Sequence, residues 1–208
     1  FAPVSLLGIL NTGLIANPNV SAKDAKALIA ELKAKPESVS VATSGIGSYS
    51  HLSGVWFNDA AKVRTNLVPY NSTSPYNDLL AGQVQLMFDG LPAAAGPIRG
   101  GKLKLLAITG KERHPSFPTV PTFAEAGLPD YAPIAWQGIL APAGTPQPIL
   151  DKLSNAMKQA CQSQELGKKW REYGGELRCN TPAEFTAFIN ADRAMWGKVI
   201  RQANVKLD

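Results

Sequence analysis

Between Ser21 and Thr109, strand and helix signals alternate, and this rhythm limits the fold more than any other feature of the chain. A helical pattern with apolar positions Ala25, Leu28, Ile29 and Leu32 opens behind Ser21 as its cap and stops at Pro36. A β-branched run, Val39 to Thr43, follows, then a glycine turn and a helix to about Ala60. Strand Arg64–Pro69 leads into the polar loop Tyr70–Ser74. A short helix starts with Pro75 at its first position and ends at Gly82. Strand Gln83–Phe88 runs to Asp89, and another short helix leads to strand Leu103–Thr109. A repeated βα unit of this kind predicts a parallel sheet, because each helix carries the chain back to the same sheet edge.

The remainder reads differently. Residues 110–133 are irregular and rich in proline. A strand, Ile134–Leu140, carries Trp136. Thr145 as N-cap with Pro146 at the first position predicts a helix continuing past Met157, and a short helix surrounds Leu166–Tyr173. Thr181-Pro-Ala-Glu184 is a capping box that opens a last helix to about Ala203. This tail has too few strands to make a sheet alone. It is expected to complete a lobe whose other strands lie elsewhere.

Composition excludes several classes. The 208 residues suffice for one large domain or two small lobes. The net charge is +5, but Lys and Arg are scattered and no basic run exceeds two residues, so the charge reads as a solvated surface and not as a nucleic-acid site. No apolar stretch approaches the roughly 20 residues of a membrane span. Phe1-Ala-Pro-Val-Ser has no charged leader, and the abrupt start on a strand at Val4–Leu7 is expected of a fragment or processed product. Cys161 and Cys179 have no second Cys or His pair beside them for a metal. A disulfide between them is expected in an oxidising compartment, with two free buried thiols as the alternative, and spacing does not decide.

In open α/β sheets, ligands sit outside the carboxyl ends of the strands. Three such ends are polar: Thr43-Ser-Gly-Ile-Gly-Ser48, Tyr70-Asn-Ser-Thr-Ser74 and Asp89-Gly-Leu-Pro92. In the first, Gly45 and Gly47 stand where a strand feeds a helix, flanked by Ser44 and Ser48. Helix N-termini leave backbone N–H groups unpartnered, and glycine lets an anion approach them. The rim therefore suits a carboxylate at one end of a ligand, held by backbone donors, and a polar or cationic group at the other. The plainer roles stay open. Gly45 and Gly47 can serve backbone geometry alone, His51 can be a packed helix residue, and Tyr70 a core residue. Asp89 can cap the next helix, and Trp136 can be lobe core or a hinge residue. Ser48, His51 and Asp89 offer the residue types of a hydrolase triad, but the Gly-x-Ser-x-Gly spacing of a nucleophile elbow is absent. No phosphate loop, metal site or cofactor site is read.

Several segments together resemble one family. They are Ser44-Gly-Ile-Gly-Ser-Tyr-Ser-His-Leu52, Val68-Pro-Tyr70, Asp78 to Asp89, and Gly101 to Thr109. Phe117 to Pro129, Ala141-Pro-Ala-Gly-Thr-Pro146 and Thr181-Pro-Ala-Glu-Phe185 continue the match in order. The family is the substrate-binding receptors of tripartite tricarboxylate transporters, the Bug receptors. The resemblance implies an α/β, periplasmic-binding-protein-like (type II) two-lobed fold, with the first lobe incomplete in this chain. It implies lobe one in residues 1–10 and 134–208 and lobe two in 11–133. It also implies a periplasmic receptor, not an enzyme, that closes on a small organic carboxylate and delivers it to membrane subunits, its partners being that ligand and those subunits, without nucleic acid, and the protein a monomer. The ligand residues carried over are Thr43, Ser44, Gly45, Gly47, Ser48, His51, Tyr70 and Asp89. Family members have a longer N-terminal part, with a signal peptide and a glycine-rich ligand loop, that this chain lacks. Where the family often has a basic residue and glycine after Val-Pro-Tyr, Asn71-Ser72 stand here, which removes a cation expected for di- and tricarboxylates. The rival reading is a ligand-sensing regulatory module.

Overall fold

A computed structural model of the chain describes residues 1–71, 74–172 and 174–206. It divides into two compact units: Phe1–Leu10 with Ile134–Gly197, and Asn11–Pro133 with the chain from Lys198 on. Strand β1 (Ala2–Ala16) gives its first part to one unit and its second part to the other.

The second unit holds α1 (Ala25–Ala34), β2 (Ser40–Thr43), α2 (Tyr49–Ala61), β3 (Asn66–Pro69), α3 (Tyr76–Ala81), β4 (Leu86–Gly90), α4 (Leu91–Arg99) and β5 (Lys104–Ile108). Its strands lie in the order β3-β2-β4-β1-β5. β2 runs parallel to β3 and β4, whereas β1 is antiparallel to both β4 and β5. The sheet is therefore mixed and not all-parallel. The helix rhythm governs only the strands it connects, and β1 arrives from the start of the chain without a helical crossover. Its Leu14, Ile15 and Ala16 are fully buried, as a central strand covered on both faces requires.

Apolar side chains cover both faces of this sheet. On one, Leu28 and Leu32 of α1 and Phe57 of α2 pack with Phe88, Phe123 and Tyr131. Phe123 and Tyr131 meet edge-on with centroids 4.6 Å apart. On the other, Leu79 and Leu91 of α3 and α4 pack on Met87 and Leu105. The cap of α1 is Asp24 and not Ser21: Asp24 Oδ1 accepts from the Ala27 N–H at 2.8 Å, while Ser21 Oγ donates to Glu31. Both residue types cap well, and the one next to the first apolar position takes the role. Gly82 ends α3 in the left-handed conformation, as expected.

The first unit pairs the beginning of β1 with β6 (Ile134–Ala141) and β7 (Gly175–Leu177), and carries α5 (Gln147–Ala160), α6 (Gln164–Glu172) and most of α7 (Pro182–Gln202). The capping box forms: Thr181 N–H donates to Glu184 Oε2 at 2.8 Å, and Glu184 N–H donates to Thr181 Oγ1 at 3.3 Å. Thr145 does not cap α5. Its hydroxyl donates to the Pro142 carbonyl, Pro146 takes the cap position, and Pro148 lies in the first turn. Trp136 belongs to the core of this unit, edge-on to Phe185 and Phe188, with its Nε1–H donating to Asp192 at 3.0 Å. Cys161 and Cys179 form a disulfide with Cα atoms 6.3 Å apart. Tyr173, at the expected end of α6, lies outside the described residues.

Candidate functional site

Thr43 of β2 stands opposite Pro69 of β3, and Ala42 opposite Met87 of β4. Parallel pairing sets the carboxyl ends of these three strands on one edge of the second unit. The loops after Thr43 and Pro69 leave from that edge, and β4 passes there directly into α4. β1, running the other way, brings Thr12 beside Gly90 and Gly13 beside Asp89.

The loop after β2 is built from its glycines. Gly45 and Gly47 have φ of 102° and 76°, a region that side-chained residues avoid. A Cβ on Gly45 would also stand 3.0 Å from Asn71 Oδ1. This double reversal turns the strand into α2, which Ser48 caps by accepting from the His51 N–H at 3.3 Å. Much of the loop's donor capacity is used internally. Ser44 N–H donates to Ser50 Oγ at 2.8 Å, Ser48 N–H to the Gly45 carbonyl at 3.2 Å, and Gly47 N–H to His51 Nδ1 at 3.3 Å. Among the described residues, the N–H groups of Gly45 and Ile46 have no acceptor. Ile46 is 47% exposed, whereas Gly45 is buried. Thr43 is fully buried, with its hydroxyl directed to the Val68 carbonyl.

Burial lowers the pKa of His51, and because Nδ1 accepts a hydrogen bond, the ring proton sits on Nε2. Ser48 Oγ meets the His51 backbone N–H and Ser50 Oγ, while Asp89 is engaged elsewhere. Ser48, His51 and Asp89 are therefore not assembled as a triad.

Asp89 Oδ2 accepts from the Tyr76 hydroxyl at 2.9 Å, and Oδ1 from the Gly90 N–H at 2.8 Å. Its pKa is raised because withdrawal from water outweighs these two bonds. Asp89 does not cap α4, whose cap position is Gly90 without a side-chain bond. Tyr70 donates to Asp78 at 2.7 Å, which together with burial holds its phenol above the usual range. Its N–H donates to the Thr43 carbonyl at 2.8 Å, tying the second loop to the first. Ser72 and Thr73 of that loop lie outside the described residues.

Four residues on this edge carry no site motif in the sequence: Thr12, Gly13, Tyr49 and Thr109. Thr12 is fully buried and its hydroxyl contacts the Tyr49 hydroxyl at the start of α2. Thr12 N–H donates to Thr109 Oγ1, and Thr109 N–H to the Thr12 carbonyl, both at 2.8 Å. Gly13 leaves room between strands, since a Cβ there would stand 2.5 Å from Leu105 Cδ1. The signal was the polar Asn11-Thr12-Gly13 interrupting the apolar run of β1. Among the described residues no group of three His, Cys, Asp or Glu side chains is placed to hold a metal, and no helix is long and apolar enough to cross a membrane.

This chain has the α/β fold of periplasmic binding proteins. The structure of periplasmic binding protein BugD matches 99% of it with a TM-score of 0.89 at 31% identity, the chain covering 70% of that structure. An R. palustris protein solved with adipate matches 99% of it with a TM-score of 0.91 at 30% identity, 69% of that structure being covered. BugT of Bordetella pertussis is 34% identical over 206 residues, which are 99% of this chain and 63% of BugT. Residues 1–205 match the model of the tripartite tricarboxylate transporter family receptor, and the chain belongs to that family. It spans under two thirds of the length of BugT.

Proposed function

We propose that this chain is the ligand-binding part of a periplasmic solute receptor. It takes up a small organic carboxylate at the β2–α2 loop and delivers it to the membrane subunits of a tripartite transporter. The observation that carries the reading is the pair of amides at Gly45 and Ile46 without an acceptor among the described residues, beside the Ser48 hydroxyl, at the N-terminus of α2. Neutral dipoles of this kind hold a carboxylate without a buried cation. The adipate bound by the R. palustris relative supports the same ligand class.

In this reading Ser44, Gly45, Gly47 and Ser48 shape the anion loop, and Thr43 anchors it. His51 and Tyr70 border it, and Asp89 faces the far end of the ligand. Function consists of binding, without chemistry on the ligand. The lobes are assigned as residues 1–10 with 134–208 and residues 11–133. Further chain completes the first lobe, which is supported by the exposed Ile139, Leu140, Ile149 and Leu153.

The test is a thermal-shift titration with adipate, shorter and longer dicarboxylates, monocarboxylates and neutral amides. It is run on this chain and on a longer natural form of the protein. Ligand at 100 times its dissociation constant adds about 2.7 kcal/mol, or roughly 5–11 °C for a chain of this size. A shift confined to acids and lost in Gly45→Asp is expected. Equal shifts from acids and amides, or an unchanged response in Gly45→Asp, would sink the anion loop.

A further inference from the structure

The first turn of α2 turns back on the loop that precedes it. Ser48 Oγ accepts from the His51 N–H, and His51 Nδ1 accepts in return from the Gly47 N–H at 3.3 Å. This is the geometry of a capping box with an imidazole nitrogen in place of the usual carboxylate, displaced by one residue toward the strand. The two bonds close a ring around Gly47, whose φ of 76° would otherwise leave the loop free to take other shapes. A second tie, from Ser44 N–H to Ser50 Oγ, holds the other side of the same bend. The Gly47 amide is thereby engaged, while those of Gly45 and Ile46 keep no acceptor among the described residues.

We infer that His51 is a positioning residue, not a ligand contact. Its Nδ1 holds Gly47 so that the Gly45 and Ile46 amides are fixed in the orientation that receives a carboxylate. This rests on the anion-loop reading and assigns His51 a different part in it. An acceptor at this position prepays the ordering of a glycine-rich loop, which ligand binding would otherwise have to supply. A carboxylate in the same place would accept equally well, but would set a negative charge one helical turn from the anion. A neutral imidazole does the same work without that repulsion.

The experiment compares the natural protein with His51→Leu and His51→Asn. Leucine removes the acceptor, while asparagine restores one, because its Oδ1 lies near the position of Nδ1. Nitrogen NMR of the labelled chain reads the His51 tautomer, and hydrogen exchange reads the Gly47 amide. Adipate and the acid panel supply affinities, and thermal melts report folding. The expected results are a ring protonated on Nε2 and a protected Gly47 amide. His51→Leu should lose that protection and bind acids about five- to tenfold more weakly, the size of one hydrogen bond. His51→Asn should recover most of both. A ring protonated on Nδ1, or a Gly47 amide equally protected in His51→Leu, overturns the assignment whatever the ligand does. Weaker binding in both variants with the loop still protected also overturns it, since His51 would then be touching the ligand. If no acid binds the natural protein, the anion-loop reading fails and takes the positioning role with it, even where exchange shows the tie.

Discussion

The two units hold themselves together by different means. In the second, five strands are covered on both faces, and Phe57, Phe88, Leu14, Leu28 and Leu79 are all but fully buried. In the first, neither α5 nor α6 buries a single residue, and Ile149 and Leu153 of α5 are 50% and 40% exposed. What secures the first unit is a small aromatic knot of Trp136, Phe185 and Phe188, a capping box and a disulfide. The difference shows why the candidate site lies where it does. An anion loop with two left-handed glycines needs a rigid support, and only the unit with a closed core offers one.

The largest test of this contrast is Phe57→Ala. Phe57 is 1% exposed and touches Phe88, Phe123 and Tyr131, so its truncation should cost about 3–5 kcal/mol. Urea unfolding would measure it, and a loss below about 1 kcal/mol would mean that the second unit is not held by its core. Next comes the double change Cys161→Ser and Cys179→Ser. The bridge spans a separation of 18, for which loop-closure entropy predicts about 3 kcal/mol. Hydrogen exchange should show the loss in α6 and β7 and leave β2 to β5 untouched. A loss spread evenly over both units would erase the distinction between them.

A smaller effect concerns pH. Asp89 has its pKa raised above 3.8, chiefly by burial, so the folded chain keeps this proton to higher pH than the unfolded chain. Folding therefore takes up a proton in that window, and the contribution of Asp89 to stability falls as pH rises from 3.8 toward the folded value. Asp89→Asn should flatten that fall. Matching slopes of urea midpoint against pH in the two proteins would show that Asp89 is not buried as described. The smallest change should come from Leu153→Ser, within about 0.5 kcal/mol, because the side chain it removes is already exposed. A cost near that of a core residue would show that α5 is covered.

Most strands and helices of the second unit were legible because local periodicity and turn chemistry produced them. Gly82 there, and the Thr181 box in the first unit, are cases in which one residue type and its spacing suffice. β1 was not legible in the same way. A run that is apolar on both faces shows burial but not direction, and nothing local in Leu6 to Ala16 says that it runs against its neighbours. At the candidate site, the glycines announced a tight turn, but not which amides would remain outside it. That depended on Ser50 and His51 folding back as acceptors, a choice made by side-chain rotamers and not by spacing. Thr12, Tyr49 and Thr109 come together only through long-range pairing, so their meeting could not be read from any one segment.

The placement of β1 has a consequence for how the chain is made. This strand lies between β4 and β5, with Thr12 beside Gly90 and Gly13 beside Ile108. It leaves the ribosome before both its neighbours, which are synthesised much later. Val4, Leu6, Leu14 and Ile15, all buried at the end, must wait as an unpaired apolar ribbon until then. Closing such distant pairs is slow, and the exposed ribbon invites pairing with other chains in the interval. The interval before β4 and β5 emerge is therefore the chain's most vulnerable period, and a chaperone that binds extended apolar segments would find its target in β1.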